Sequence, residues 1–557
     1  MATTYEEGVE NGERLPPGTV HLVDLDGTIA TKHASQNEKD IILVPRPSED
    51  PEDPLNWTFR RKMLATSCVV VYTIMLALPS SAVYSVVTPI RKATGLSLAD
   101  INNGTGIMFL FYGWGCLFWQ PLALQYGKRP AYLLSLITNI VILGTAPLCI
   151  TPHTYQASRI LLGLFGSPVE SLCEVSITDI WFAHERPKYL AWYGWSLSLT
   201  GKLAPMLSGF INVGMNWKWT LWWCAIWNGI ALVYCFFLME ETNYDRSHTS
   251  TAASHGTTEA PMTTAGSELE DTGDNSAEKQ PDDPDASTVP ADVETAHVAW
   301  PRKTYLQKLG IVDKPRPNRL WDNFLLPFKG FTYPSVVYGG LMYGTNNLVW
   351  PGTQNATTGT VYTTMYGFST AGVAAAYAGG VLGTCVGGYY SGKMGRVLTL
   401  RLARRNDGIS EPEHTLWLFA LSAVVVPFSV LLYGLGVAYH IHWFGLVVSQ
   451  FVMAIGSSLC IAAGLNYAIG SYKELSGGFV VTCVLIRNTL SFAINYGITP
   501  WLHNLGYRNT YISVACIGFA CNMSFLIMIK YGRRVREMTA PRYWRDVAAA
   551  EAKGLTH

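Results

Sequence analysis

Charged residues make up only 14% of this 557-residue chain, against about 25% in soluble globular domains. That shortage excludes an ordinary water-soluble domain as the bulk of the molecule. Nor is there an excess of either sign: 40 Lys and Arg face 40 Asp and Glu. No basic surface for a nucleic-acid partner is left over, so none is expected. The 11 cysteines show no C-x-x-C spacing, and most lie inside apolar runs (Cys68, Cys116, Cys173, Cys224, Cys385, Cys460, Cys483, Cys516). They read as small hydrophobes rather than a disulfide or zinc framework. No metal and no bound cofactor is expected. The first sixty residues are polar, so no signal peptide is expected and the first apolar span acts as its own insertion signal.

What is abundant is apolar: 49% of residues, with 18 Trp and 29 Tyr suited to interfacial belts. About 20 helical residues cross the ~30 Å hydrocarbon core. Twelve runs of that kind occur, near 64–86, 101–123, 131–150, 155–180, 189–211, 219–239, 332–353, 366–390, 416–437, 443–466, 476–498 and 510–530. The spacing predicts an all-α membrane protein of twelve transmembrane helices in two pseudo-symmetric six-helix halves. The expected divisions are a disordered tail 1–62, a six-helix half 63–239, a linker 240–330, a second half 331–530 and a tail 531–557. The linker holds ten acidic residues and one Lys between Glu268 and Glu294, which argues for disorder. It then turns basic and intermittently apolar over 302–329, as suits a stretch lying on an anionic leaflet.

Loops 2–3 (Lys128, Arg129), 4–5 (Arg186, Lys188) and 8–9 (Lys393, Arg396, Arg401, Arg404, Arg405) are basic, and loops 3–4, 7–8 and 9–10 are nearly free of Lys and Arg. By the positive-inside rule both termini are cytosolic, and a plasma-membrane location is expected ahead of a vacuolar one. One motif misleads. Val20 to Thr28 reads as a strand followed by D-x-D-G-T, with Asp24 and Asp26 placed like a phosphatase nucleophile and acid/base. That chemistry needs a surrounding α/β domain, and only polar tail surrounds it, so the chain is not expected to be an enzyme.

Two adjacent spans carry charge at their centres. Arg159, Gly163, Gly166, Glu170 and Glu174 recur at steps of three or four and share one helix face. Trp195, Ser198, Lys202, Pro205 and Ser208 share another. A charge at mid-bilayer costs roughly 2.5–3.5 kcal/mol on insertion scales, so it must face protein or water. A transport pathway is the first reading; a Glu–Lys pair that only locks helices is the alternative. Span 11 is the counterpart of span 5, and Arg487 stands near its centre as Lys202 does in span 5. Two such cations frame a cavity between the halves. Asn488 beside Arg487, with Tyr343, Asn346, Asn347, Tyr377, Asn495 and Trp195, are candidates for neutral and aromatic contacts. Sequons at Asn103 and Asn355 fall on the expected external side and are candidate glycosylation sites.

The chain resembles the major facilitator superfamily over roughly residues 50–540, and more narrowly the fungal twelve-spanner drug:proton antiporter branch that includes polyamine and organic-cation transporters. The matching residues are Asp53-Pro54-Leu55-Asn56-Trp57; Arg159 with Gly163 and Gly166; Asp179-Ile180-Trp181-Phe182 with Glu185-Arg186; Gly201, Ala204, Pro205 and Gly209 of the antiporter motif; and Ala403-Arg404-Arg405-Asn406 through Glu411-Pro412-Glu413. Of the usual loop 2–3 motif, Gly127, Lys128 and Arg129 are kept, but Gln120 and Leu124 replace its leading Gly and its Asp. Gly392 replaces the Asp of the second half. In the family that Asp fastens the cytosolic side, so another contact is expected to close the inner gate. Lys202 stands where the branch tends to have small polar residues, which weighs against a purely cationic substrate.

The resemblance implies a monomer working by alternating access, with a small molecule and protons as partners and no cofactor beyond the proton gradient. The expected assignments follow. Glu170, Lys202 and Arg487 bind substrate. Glu170, with Glu174 and Arg159, couples protons. Protonation of Glu170 releases Lys202, giving antiport. Gly127, Arg129, Asp179, Gly201, Pro205 and Gly209 serve the gates and the bending of span 5. The expected activity is export of a small amphipathic organic molecule. Uptake of a polyamine-like cation is the alternative, and a non-transporting sensor the remote one.

Overall fold

A computed structural model describes residues 9–10, 13–14, 16–21, 50–182, 185–244, 304–308, 310, 318–406 and 409–553. The Asp24–Asp26 motif and the acidic part of the linker lie outside these residues. Nine helical runs among the described residues are long and apolar enough to cross a membrane. The first half holds α1 (Phe59–Ser81), α2 (Val87–Thr94), α3 (Leu98–Trp114), α4 (Cys116–Tyr126), α5 (Lys128–Thr145), α6 (Pro152–Gly166), α7 (Pro168–Ile180), α8 (Arg186–Gly214) and α9 (Trp217–Leu238). Linker helices α10 (Tyr305–Lys308) and α11 (Leu320–Gly330) follow. Then come α12 (Pro334–Gly344), α13 (Trp350–Thr364), α14 (Thr370–Arg405), α15 (Phe419–Ala438), α16 (Trp443–Ser471), α17 (Ser476–Met523) and α18 (Phe525–Ala552).

The nine apolar runs differ from the twelve expected for two reasons. Neither α8 nor the run from α12 to α13 passes as apolar enough, although each is long. Both carry polar residues toward the middle of the bundle, where protein replaces lipid. Spans 11 and 12 register as one because α17 continues through a kink at Gly506, whose φ of +70° turns the chain between them.

Several crossings are broken, each for a local reason. Span 2 breaks between α3 and α4 at Gly115, and span 4 between α6 and α7 at Ser167. The two breaks touch: a Cβ on Gly115 would lie 2.7 Å from the Ser167 hydroxyl oxygen. The Cys116 thiol donates to the Ser167 carbonyl at 3.3 Å, which also accepts from the Glu170 N–H at 3.0 Å, so the two breaks are tied together. Span 7 carries a π turn over Thr345–Val349 between α12 and α13, a feature that widens a helix. Helix starts follow ordinary capping chemistry: Ser97 with Asp100 at α3, and Thr151 with Thr154 at α6.

The halves meet along two main seams, α3 against α17 and α8 against α14. If the second half repeats the first, span 2 answers span 8 and span 5 answers span 11, so each seam is the counterpart of the other. Small residues allow the close approach. A Cβ on Gly113 would lie 2.7 Å from the Asn488 Cβ, and one on Gly209 would lie 2.5 Å from the Ala374 Cβ.

Loop 2–3, the linker helices and the described segments of both tails lie at one end of the bundle, the termini face. Arg61 bonds Glu240 and Glu52, Arg129 donates to the Gly310 carbonyl, and Lys553 meets Asp322. Of the basic residues expected on a leaflet, Lys329 is instead paired with Asp546, while Trp321 is 69% exposed. The expectation of a disordered tail is corrected for two segments. Residues 50–57 pack on the first half, with Asp53 buried and capping the Leu55 N–H at 3.0 Å. Residues 16–21 dock on the second half. There β1 (Val20–His21) pairs antiparallel with β2 (Ile409–Ser410). The buried Arg536 holds Glu413 through two bonds and donates to the Pro17 carbonyl at 2.6 Å. Gly18, at φ +83°, comes so close to Gly470 that a Cβ would lie 2.3 Å from its carbonyl oxygen.

Candidate functional site

A cavity of about 80 Å³ lies between the halves. The first half contributes Ser81, Tyr84, Phe109, Tyr112, Glu170, Ser198, Gly201 and Lys202. The second contributes Asn347, Pro351, Asn355, Thr384, Ser457, Arg487, Ser491 and Asn495. Both predicted cations are therefore in its wall.

The break in span 4 sets Glu170 in the first turn of α7. The dipole of a helix N-terminus favours a carboxylate there. Glu170 is 3% exposed and accepts a charge-assisted bond from the Arg487 guanidinium across the seam. Arg487 also donates to the Tyr343 hydroxyl at 3.2 Å and lies over that ring at 5.0 Å. Glu170 thus pairs with Arg487 and not with Lys202, which corrects the expected Glu170–Lys202 pair. The reason is the direction of the side chains: α8 turns Lys202 toward span 7, while α17 crosses directly beside α7.

Lys202 is 6% exposed and donates to the Asn355 side-chain carbonyl at 3.1 Å. Its stem runs over Gly380, whose missing side chain leaves room for it. No described carboxylate lies within ion-pair distance. One turn past Glu170, Glu174 is 1% exposed and neither carboxyl oxygen has a hydrogen-bond partner.

The other candidates fall as follows. A Cβ on Gly201 would meet nothing within 4 Å, so that residue opens onto the cavity. Pro205 lies within α8. Asn346 turns away and bonds its own helix; Asn347 lines the cavity instead. Asn488 packs on Gly113, Trp195 packs on Gly388, and Tyr343 and Tyr377 are buried outside the cavity wall. Tyr84, Phe109 and Tyr112 supply the aromatic wall, and no spacing signal separated them from ordinary packing residues. Asn355 bonds Lys202 inside the bundle, where a glycan does not fit, so its glycosylation assignment is withdrawn. Asn103 is half-buried near the start of α3. Arg159 is buried beside Met108 and Tyr155.

Contacts close the cavity at both ends. On the termini face the Gln120 amide donates to the Gly477 carbonyl at 2.7 Å, joining α4 to the start of α17. Gln120 is the residue that replaced the leading Gly of the loop motif, so a departure from the family pattern supplies the missing inter-half contact. Beneath it Lys128 pairs with Asp179. The Glu241 carboxylate accepts from the Lys128 and Arg129 N–H groups at 3.1 and 3.0 Å, capping α5 where Gly127, at φ +111°, turns the chain. Nearby, burial acts to raise the Glu52 carboxyl, but the hydrogen bond and charge of Arg61, with Lys308 behind them, outweigh it and hold it below its ordinary value. At the other end Asn102 donates to Thr499 at 3.1 Å, and the Thr88 and Thr363 hydroxyls lie 3.3 Å apart.

Two broken-helix halves around a polar cavity at mid-bundle define a carrier of small molecules across a membrane. The family model of the Major Facilitator Superfamily matches residues 69–404, and the chain belongs to that family. It is similar to an uncharacterised MFS-type transporter of Schizosaccharomyces pombe (25% identical, covering 95% of this chain and 94% of the relative). It is similar to protein HOL1 of Saccharomyces cerevisiae (25%; 95% and 97%), and to efflux pump vrtL of Penicillium aethiopicum (24%; 82% and 83%). Among solved structures, the proton:xylose symporter XylE shares the fold, with a TM-score of 0.54 at 10% identity, covering 85% of this chain and 97% of that one. The protein is a multi-pass membrane transporter, and not an enzyme.

Proposed function

We propose that the chain exports a small amphipathic zwitterion in exchange for protons, and that its anionic end seats on Lys202. The observation that carries this is the state of Lys202: a buried cation in the cavity wall whose hydrogen-bond partner is the neutral Asn355. A buried charge without a counter-charge costs several kcal/mol, so an arriving carboxylate gains at this point. Glu170 is the group that attracts the cationic end of the substrate, a carboxylate having lone pairs to spare beyond its bond to Arg487. Protonating Glu170 removes that attraction, so proton and substrate exclude each other, which is the condition for exchange. A substrate with an anionic end alone reverses the sign. Protonation of Glu170 then frees Arg487 for the anion, and proton and substrate travel together. Glu174, unpartnered and one turn nearer the termini face, passes the proton to Glu170.

The closed cavity has room for a few waters, so loading requires one gate to open, as alternating access provides. We place the termini face in the cytosol, and the plasma membrane ahead of the vacuole, on the basic loops. The likeness to a relative named an efflux pump supports export.

The test is transport by purified protein in proteoliposomes with an imposed pH gradient. Labelled zwitterions, anions and polyamines are compared in wild type and Lys202→Asn. Zwitterion movement driven by the gradient and lost in Lys202→Asn is the expected result. Polyamine movement unaffected by Lys202→Asn overturns the substrate assignment and reduces Lys202 to a structural role.

A further inference from the structure

A second, smaller cavity of about 20 Å³ lies inside the first half, at the end away from the termini. It is closed by α2, the end of α5, the start of α6 and the start of α9. Most of its wall is apolar, including Leu96, Leu143, Leu162 and Trp217. Arg159 and Tyr155 are the exceptions that matter. Arg159 is 3% exposed. Its contacts are the Met108 sulfur at 3.9 Å and the face of the Tyr155 ring at 5.0 Å. No described carboxylate lies within ion-pair distance of it. The Tyr155 hydroxyl is buried and has no hydrogen-bond partner.

A guanidinium offers five N–H donors and a phenol one. A thioether is a weak acceptor and a ring face a partial one, so nearly all of this donor capacity and a full positive charge remain unmet. A buried polar group without a partner costs about 1–3 kcal/mol, and a charged one more. The guanidinium offers donors alone and carries the uncompensated charge, which selects an acceptor carrying negative charge. Size selects further. A cavity of 10–15 Å³ already holds a water-sized sphere, so this one suits a single monatomic ion better than sulfate or an organic carboxylate.

We propose that Arg159 and Tyr155 form a binding site for one small inorganic anion of the halide class. The proposal does not depend on the reading of the substrate. Its role is to supply the counter-charge that the fold omits, holding α2 and α9 against span 4.

The test is thermal unfolding of the full-length protein in gluconate at constant ionic strength, with chloride or bromide replacing gluconate stepwise and sulfate as the large-anion control. The expected result is a rise in Tm of a few degrees that saturates with halide. Sulfate should give no saturable rise. The half-saturating concentration should increase roughly tenfold in Tyr155→Phe, and the response should vanish in Arg159→Gln. Equal behaviour of halide, sulfate and gluconate in wild type overturns the proposal and leaves the cavity to water. So does a halide response in Arg159→Gln that matches wild type. If Arg159→Gln does not fold, the wild-type anion series and Tyr155→Phe decide the matter.

Discussion

Arg487 and Glu170, 317 residues apart, form a buried ion pair across the boundary between the two halves of the chain. Removing one partner of a buried pair leaves an uncompensated charge and costs about 3–5 kcal/mol, whereas replacing both is often near neutral. Glu170→Gln and Arg487→Met should each lower Tm markedly, and the double variant should recover most of the loss. Thermal unfolding of the four proteins checks this. The double variant should remain inactive in transport, because the pair is also the proposed switch.

Lys202 and Asn355 form a second contact between the halves at the cavity. Losing a hydrogen bond to a charged group costs about 1.5–3 kcal/mol. Asn355→Ala should therefore cost about that much stability, read as a fall in Tm, without weakening the binding of an anionic end at Lys202. Asn355→Gln should leave gel mobility unchanged with or without deglycosylation. A mobility shift would contradict the placement of Asn355 beside Lys202.

Gln120 fastens the termini face by one neutral hydrogen bond to Gly477, worth about 1 kcal/mol. Gln120→Leu should shift the population toward the state open on that face by roughly fivefold. A cysteine at Gly201, which opens onto the cavity, reports this. Its labelling by an impermeant thiol reagent from the termini face should quicken in the Gln120→Leu background.

Arg536 is fully buried and holds both Glu413 and the docked tail. Arg536→Ala leaves Glu413 uncompensated and should cost about 3–5 kcal/mol. Deleting residues 1–21 leaves the pair intact and removes only acceptors, so the loss should be smaller, about 1–3 kcal/mol. The order of the two Tm values is the check.

Glu52 gives a pH dependence with a definite sign. Its carboxyl is held below the ordinary value by Arg61 and Lys308, so its contribution is full above that ordinary value. The contribution is lost as pH falls through the lowered value. Wild type and Glu52→Gln should differ in Tm near neutral pH and converge in acid.

The architecture was legible because bilayer thickness, helical period and loop charge each leave a pattern in single residues. The cations at 202 and 487 were legible for the same reason: a charge in an apolar run stands out. Their partners were not. Which acid meets which cation depends on how spans 4, 5, 7 and 11 rotate against one another, and period alone leaves that rotation free. Asn355 read as a surface sequon because it is followed by Ala356 and Thr357 near the expected external end of span 7, although the π turn and α13 carry it into the cavity. Gln120 read only as a departure from a motif. Its use appears when the start of α17 is set beside it. Residues 16–21 read as tail because the carbonyl that Arg536 binds carries no side-chain signature.

The most direct test of coupling loads proteoliposomes with a pH-sensitive dye and follows internal pH while a transported zwitterion moves with no imposed gradient. The account predicts proton movement opposite to the substrate, abolished in Glu170→Gln and slowed in Glu174→Gln. Zwitterion transport with no proton movement, or with protons travelling in the same direction, would contradict it.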